Sequence, residues 1–89
     1  MAKILTSPVF KSDGNLNDLY QTGHSGIYFL NGDKSKFQNS PTGWCILIVL
    51  AFGEVAFQLI FKREEIYVRD RTGNPLAWGS WSKATMTYV

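Results

Sequence analysis

Two apolar runs with a short break between them constrain the fold of this chain more than any other part of its sequence. Residues 45–52 form an unbroken apolar run. This run is too short to span a bilayer, and its β-branched and aromatic residues predict a strand that is buried on both faces. Residues 55–62 alternate with a period of two, which predicts a second, half-buried strand. One face carries Val55, Phe57, Leu59 and Phe61, and the other carries Ala56, Gln58, Ile60 and Lys62.

The break at Gly53-Glu54 predicts that these two strands form a hairpin. Two residues are the commonest length for a hairpin connection, and Gly53 suits the position of a type II′ turn that needs a positive φ. A helix over residues 45–61 is the alternative, but Gly53 and the β-branched composition disfavour it. The sequence therefore predicts an all-β protein organised around this hairpin.

The composition predicts a small domain that shares its surface with other copies of itself. With 89 residues the chain forms one domain at most, and we expect it to be only marginally stable alone. Aromatic residues make up 15% of the chain and charged residues only 18%, which is few charges for a small soluble monomer. We therefore expect other copies to cover much of the surface. The net charge of +2 is too small to indicate binding to nucleic acid or to an anionic membrane.

Cysteine usage and the first residues bear on the redox chemistry and the location of the chain. Cys45 is the only cysteine, so neither an intramolecular disulfide nor a thiolate metal cluster can form, and we expect a small buried apolar residue. No motif for a metal or another cofactor is present. Residues 1–5 lack the long apolar core of a signal peptide. We therefore expect the chain to be made in the cytoplasm and exported, if at all, within a larger particle.

The N-terminal fifth of the chain predicts little regular structure. Pro8 limits any strand here to an edge or a first position, so residues 1–12 are expected to be an edge strand or a connector. Residues 16–20 have apolar side chains at helical spacing, and Asp13 or Asn15 can cap them. This segment predicts one short helical turn.

The rest of the chain predicts more strands with short connections. Strands are expected over residues 26–30, 66–69 and 82–87. Residues 34–43 are polar and aperiodic, and they are the longest predicted loop, which makes them a candidate working surface. The elements together predict a small antiparallel β meander, sandwich-like, over residues 13–89.

Three groups of residues follow one another in an order and spacing that match a known family. The first group is Asn15-Leu16-Asn17-Asp18-Leu19 and Gly26-Ile27-Tyr28. The second is Asn39-Ser40-Pro41-Thr42-Gly43-Trp44 leading into Leu47-Ile48-Val49. The third is Gln58-Leu59-Ile60-Phe61, Ile66-Tyr67-Val68-Arg69 and Trp78-Gly79-Ser80-Trp81. This set, which covers about residues 13–84, resembles the knob domain at the tips of phage and pyocin tail fibres.

The resemblance implies a β domain that works as a homotrimer on a fibre axis, in the tail of a virion and next to other phage tail proteins. At the fibre tip such domains meet receptors on a bacterial surface, commonly polysaccharide. Family members usually follow a long fibre, whereas this chain has almost nothing before residue 13. The family pattern describes the fold more than the ligand, so it implies no binding residues.

Aromatic residues are the candidate glycan ligands. They are Trp44, Tyr67, Trp78 and Tyr88, and Arg69, on the same predicted strand as Tyr67, is a further candidate. Aromatic faces stack on the apolar C–H face of a sugar ring, and a neighbouring Arg donates hydrogen bonds to hydroxyls. The alternative is that these rings fill the core or the subunit interface. Trp81, which lies close to Trp78 in the sequence, is expected in the core and Trp78 at the surface, while Trp44 either flanks a groove or opens the buried strand.

Three functions are consistent with these features. The first is a tail-fibre tip that binds host polysaccharide without catalysis, and the second is a structural tail component without its own receptor site. The third is a cell-wall polysaccharide hydrolase, which requires two carboxyl groups facing one cleft, and no such pair stands out. His24-Ser25 does not form a nucleophile elbow, because Ile27 occupies the position of its last glycine. The sequence therefore favours a non-enzymatic binding protein.

Overall fold

The computed structural model describes residues 8–87, and the residues before and after this range, including Tyr88, lie outside the description. The strands are β1 (Val9–Lys11), β2 (Gly14–Asn15), β3 (Gly26–Leu30), β4 (Phe37–Gln38), β5 (Cys45–Phe52), β6 (Val55–Lys62), β7 (Glu65–Thr72), β8 (Ala77–Trp78) and β9 (Ser82–Thr85). Short 3-10 turns occupy Leu16–Asp18, Thr22–His24 and Lys34–Lys36. The all-β prediction is therefore confirmed.

The central hairpin is present as the sequence predicts. β5 and β6 pair antiparallel, from Ile46 opposite Phe61 to Phe52 opposite Val55, so the turn contains two residues. Gly53 has a φ of 66°, the left-handed value that glycine adopts without a steric penalty. The turn therefore uses glycine where the type II′ geometry requires it.

The main sheet is mixed: most of its strands pair antiparallel, as predicted, and the parallel pairing of β1 departs from the predicted antiparallel meander. Its order is β1-β3-β5-β6-β7-β8, and β9 pairs with β7 beside β8. β1 lies parallel to β3, and β2 lies parallel to β4 in a separate pair. A parallel pair needs a crossover, and residues 12–25 supply it because they carry the chain back to the end of the sheet where β1 began. The edge strand predicted within residues 1–12 thus begins at Val9, directly after Pro8.

The two faces of the main sheet differ in what covers them. We call the face that bears Leu47 and Ile60 the inner face, and the opposite face the outer face. The crossover and the loop after β3 pack on the inner face, where Leu16, Leu19 and Phe37 join the sheet residues in one buried core. On β5 only the inner residues are buried, and every outer residue is half-exposed or exposed. The prediction that this strand is buried on both faces is therefore wrong for the described residues, because residues 8–87 cover one face only.

β6 also has one buried and one exposed face, but the buried face is the more polar of the two. Its alternation is confirmed, but the buried positions are Ala56, Gln58 and Ile60. Phe57 and Phe61, on the more apolar face, keep 41% and 39% of their surface exposed. The alternation thus predicted which residues share a face, and the covering loops decided which face is inside.

Several element boundaries differ from the predictions. β7 extends to Thr72, beyond the strand predicted over residues 66–69, because cross-strand pairing with β6 continues as far as Arg71. The long loop over residues 34–43 contains the short strand β4, which pairs with β2. The last strand ends at Thr85. Asn15 caps the first 3-10 turn as expected, since its side chain accepts a hydrogen bond from the backbone N–H of Asn17.

Candidate functional site

A buried guanidinium between two indole rings is the most unusual polar feature of the inner face. Arg69 on β7 keeps only 7% of its surface exposed. Its guanidinium carbon lies 4.0 Å from the centroid of the Trp78 ring and 4.6 Å from that of Trp81. Contacts of this kind are attractive because the ring face is electron-rich. The structure therefore brings together two of the predicted ligand residues, Arg69 and Trp78.

A buried amide connects this cluster to the covering loops. Gln58 is fully buried, and its Oε1 accepts a hydrogen bond of 2.9 Å from Nε of Arg69. Its Nε2 donates to the carbonyl oxygens of Leu16 and Leu19, at 2.8 and 3.2 Å. Buried polar groups stabilise a fold only when they are hydrogen-bonded, and this amide uses both of its ends. Gln58 therefore fixes the first 3-10 turn onto the sheet.

The two indoles fasten other loops in the same way. Nε1 of Trp78 donates to the carbonyl oxygen of Asn17 at 3.1 Å, and Nε1 of Trp81 donates to that of Asn39 at 3.0 Å. Both rings are half-buried, and each also contacts the guanidinium of Arg69. Trp81 packs against the core, in agreement with its predicted role. The cluster thus ties the C-terminal strands to the crossover and to the loop before β5.

The buried guanidinium of Arg69 is only partly satisfied by hydrogen bonds. Burial lowers the pKa of Arg69 to about 10, which still leaves it protonated at neutral pH. Its Nη2 is buried and has no hydrogen-bond partner among the described residues, and the same holds for Oδ1 of Asn17. Nη2 is a donor and Oδ1 an acceptor, and both belong to residues that contact Trp78. Because Nη2 is shielded from solvent, a ligand reaches Arg69 only if the cluster opens.

Tyr67 belongs to the inner face as well, but it is engaged locally. Its hydroxyl donates a hydrogen bond of 2.6 Å to Oε1 of Glu65. This bond raises the pKa of Tyr67 to about 12 and lowers the pKa of Glu65, to which Lys83 adds a smaller contribution. Nζ of Lys83 lies 3.6 Å from the other carboxylate oxygen of Glu65. Tyr67 is thus part of a hydrogen-bonded group at the edge of the sheet.

Trp44 lies elsewhere, at one end of the outer face. Its side chain is 56% exposed and lines a groove of about 520 Å³. The other lining residues are Phe29, Cys45, Ile46, Phe61, Lys62 and Arg63. Volumes of this order suit small ligands, and the lining combines aromatic rings with two cationic side chains. The groove is therefore the accessible candidate site, and we call it the Trp44 groove.

The backbone holds Trp44 in a conformation that tryptophan seldom adopts. Its φ is 48°, in the left-handed region that is unfavourable for residues with a Cβ. Its N–H donates to the carbonyl oxygen of Gly32 at 2.9 Å. The preceding Gly43 lies so close to the backbone of Gly32 and Asp33 that a Cβ there would collide with it. This close packing imposes the turn that directs Trp44 outward.

Two consecutive cationic residues at the end of β6, Lys62 and Arg63, form the polar side of the groove. Nζ of Lys62 donates to Oγ1 of the buried Thr42 at 2.9 Å, which ties β6 to the loop before Trp44. Arg63 is exposed in the β6–β7 turn, with a φ of 53°. Cys45 lies beside them, and burial raises the pKa of its thiol to about 11, so the thiol is protonated at neutral pH. The charged side chains that line the groove are thus both cationic.

The five predicted ligand residues do not form one site. Arg69 and Trp78 are in contact, Tyr67 lies on the same face, Trp44 lies on the opposite side, and Tyr88 is outside the described residues. Sequence reasoning missed Phe29, Phe61 and Arg63 as neighbours of Trp44. Phe29, Ile46 and Phe61 lie side by side on three neighbouring strands. This strand order brings them to one groove, and it is set by the tertiary structure and not by local sequence.

Other features considered from the sequence have structural roles here. Oγ of Ser25 accepts a hydrogen bond of 2.9 Å from the backbone N–H of Ala51, and Nδ1 of His24 accepts one of 3.3 Å from Gln21. No group of three or more His, Cys, Asp or Glu residues that could hold a metal ion occurs within residues 8–87. In the same range no helix is long and apolar enough to cross a membrane.

Comparisons with known proteins give no match: no protein-family model, no curated protein and no solved structure is significantly similar to this chain.

Proposed function

We propose that this chain is a tip domain of a phage or prophage tail fibre, located in the virion tail, that binds a host surface polysaccharide without catalysis as a homotrimer. The observation that carries the proposal is the exposed Trp44 ring, which the backbone directs into a groove beside Lys62 and Arg63. The resemblance of the three ordered motifs to tail-fibre knob domains supports the same assignment.

The geometry of Trp44 supports a binding role because it is unfavourable for the chain alone. A left-handed non-glycine residue costs about 1–2 kcal/mol, and an exposed tryptophan loses the benefit of burial. Such strain is typical of functional positions, where the surrounding structure holds a residue in a conformation that serves binding. An exposed indole with adjacent cationic donors suits a sugar ring that carries hydroxyl or carboxylate groups. We therefore expect acidic polysaccharides to bind more tightly than neutral ones.

The lining of the groove supports binding without chemistry. Glycoside hydrolysis requires a pair of carboxyl groups on either side of the scissile bond. None of the described residues that line the Trp44 groove is a carboxylate. A single shallow site of this kind binds weakly, and three copies on one axis would make the attachment effective through multivalency.

The second candidate function is a structural tail component, and the Arg69 cluster favours it. The indole N–H groups of Trp78 and Trp81 both donate to backbone carbonyls, and both rings contact Arg69. Aromatic residues that are engaged in this way hold loops in place. In this function the chain would form the trimer while recognition resides in another protein.

Binding of the purified chain to an array of acidic and neutral bacterial polysaccharides tests the proposal. The Trp44→Ala variant should lose at least tenfold in affinity, and Trp44→Phe, which keeps a ring, should lose less. The Arg63→Gln variant should weaken binding to acidic polysaccharides only. Gln38→Ala, at an exposed position on the other side of the sheet, is the matched control and should bind as the natural chain does. Equal binding by the natural chain and Trp44→Ala would reject this site, and no binding to any polysaccharide would favour the structural function.

A further inference from the structure

The outer face of the sheet is an apolar surface that the described part of the chain leaves uncovered. Its large side chains, taken from the strand alternation and registers, are Phe10, Ile27, Phe29, Ile46, Ile48, Leu50, Phe52, Val55, Phe57, Leu59, Phe61, Ile66 and Val68. Phe10 and Phe29 are in edge-to-face contact on this face, with ring centroids 5.4 Å apart. Asp70, opposite Phe57, is the acidic exception. The outer face is thus more apolar than the inner one, which buries Gln58 and Arg69.

The exposed area of this face is large for a single small domain. Phe10, Phe52, Phe57 and Phe61 expose 71%, 63%, 41% and 39% of their surface. With about 150–250 Å² for each ring, these residues alone expose on the order of 300–500 Å². The largest apolar patch of a typical monomer is about 300–600 Å² in total, and a standard interface buries about 800 Å² per partner. The aliphatic residues, of which Ile46 is 44% and Val68 is 42% exposed, add to this exposed apolar area. The total area of the face therefore approaches that of a standard interface.

We infer that the outer face is the surface through which copies of this chain pack against one another, with the middle of β5, β6 and β7 at its centre. This inference assigns the subunit contact of the proposed homotrimer, and it does not depend on glycan binding. The central residues are Ile48, Leu59 and Val68 in one cross-strand row and Leu50 and Phe57 in the next. The Trp44 groove is lined by the cross-strand row of Phe29, Ile46 and Phe61 at one end of the outer face. The groove therefore opens at the margin of the proposed contact.

A copy of the same chain fits this face better than other apolar occupants do. An occupant must present a large and nearly uncharged surface, and the chain itself carries one. Apolar faces of identical copies match without complementary charges, and closed symmetry lets each copy cover another. A lipid surface is disfavoured because Asp70 lies on the face opposite Phe57, where anionic headgroups would repel its carboxylate.

The test is the mass of the natural chain and of two matched variants by sedimentation and light scattering. Phe57→Lys places a charge at the centre of the face, next to Asp70, which can pair with it across the strands. Gln38→Lys adds the same charge at an exposed position on β4, away from the face. We expect three-chain mass for the natural chain and for Gln38→Lys, and single-chain mass with an unchanged circular dichroism spectrum for Phe57→Lys.

The outcomes separate this inference from the proposed function. A mass of two chains that Phe57→Lys reduces to one supports the outer face as the contact and removes the trimer from the proposed function. A natural chain of single-chain mass overturns the inference, as does a folded Phe57→Lys variant that keeps the natural mass. If Phe57→Lys fails to fold, oxidative footprinting of the natural chain decides the matter. Phe52 and Phe57 must then be protected at least fivefold relative to Met86, which is 49% exposed, and equal oxidation overturns the inference.

Discussion

The two faces of one sheet show that hydrophobicity alone does not decide what a small chain buries. The inner face carries an amide and a guanidinium, yet it is the face that the loops cover. The outer face carries a continuous set of aromatic and aliphatic residues, yet the described part of the chain leaves it exposed. Loops that cover a sheet bury backbone carbonyls, and these carbonyls need hydrogen-bond donors. Gln58 and the indoles of Trp78 and Trp81 supply the donors on the inner face. A face without polar side chains cannot donate hydrogen bonds to the carbonyls of a covering loop, but it can pack against a second apolar sheet.

Replacing Gln58 is the strongest test of this contrast. Gln58→Leu leaves the carbonyls of Leu16 and Leu19, and Nε of Arg69, without their partner. We expect a loss of about 3–5 kcal/mol in the free energy of unfolding, although leucine is the more apolar residue. Urea unfolding at fixed protein concentration measures it. Gln38→Leu, at an exposed position, should change the stability by less than about 0.5 kcal/mol. A stable Gln58→Leu variant would mean that the inner face is held by its apolar residues alone.

Truncating Trp81 should be the next largest effect. Trp81→Ala removes a ring that packs on the core, contacts Arg69 and donates to the carbonyl of Asn39. We expect a loss of about 2–3 kcal/mol by urea unfolding, because partial burial, a hydrogen bond and a cation–π contact are lost together. Trp81→Phe keeps a ring over the guanidinium and should recover about half of that loss. If both variants were as stable as the natural chain, the cluster would have no role in fastening the loops.

Trp44 should respond in the opposite direction. Trp44→Asn places a residue that tolerates a left-handed φ at a position where the indole is mostly exposed. We expect unchanged or higher stability, by up to about 1 kcal/mol, together with loss of polysaccharide binding. Thermal unfolding and the polysaccharide array measure the two properties on one sample. A loss of more than about 1 kcal/mol would show that Trp44 serves the fold, as Trp81 does.

The smallest expected effect concerns the titration of Glu65 and Tyr67. Their hydrogen bond lowers the pKa of Glu65 below its ordinary 4.5, so this carboxylate contributes stability above that pH and loses it as the pH falls through the lowered value. The pKa of Tyr67 is raised from 10.0 to about 12, so its contribution is lost as the pH rises through that interval. In Tyr67→Phe the pKa of Glu65 should move toward its ordinary value. NMR titration of the Glu65 carboxyl measures this, and an unchanged pKa would assign the shift to Lys83.

Local pattern was enough to predict the elements that depend on neighbouring residues. The Gly53 turn and the alternation of residues 55–62 were predicted and are confirmed, and Asn15, one of the two predicted caps, is the cap observed, since each feature follows from backbone conformation within a few residues. The parallel pairing of β1 with β3 was missed, because both strands are short and nothing local marks the crossover between them as a return. The extension of β7 was missed because pairing with β6, not propensity, maintains its last residues.

The candidate site was less accessible to prediction than the fold. Trp44 was identified because a tryptophan beside a long polar loop is conspicuous in any sequence. Its neighbours in the groove were not, since Phe29 and Phe61 come from strands that are distant in the chain and adjacent only in the sheet. Arg69 and Trp78 were predicted together, but their burial was not, because it depends on loops from residues 15–19 and 39 that fold over them.

The sequence by itself determined that this chain is a β protein, where its central hairpin turns and which side chains share each strand face. These properties follow from side-chain alternation and from glycine at a turn, both of which act over a few residues. Only the tertiary structure decided which face is inside, because that choice depends on whether distant loops find hydrogen-bond donors on the sheet. The outer face was left apolar and open by the same choice, and this is why we expect it to be buried by other copies of the chain.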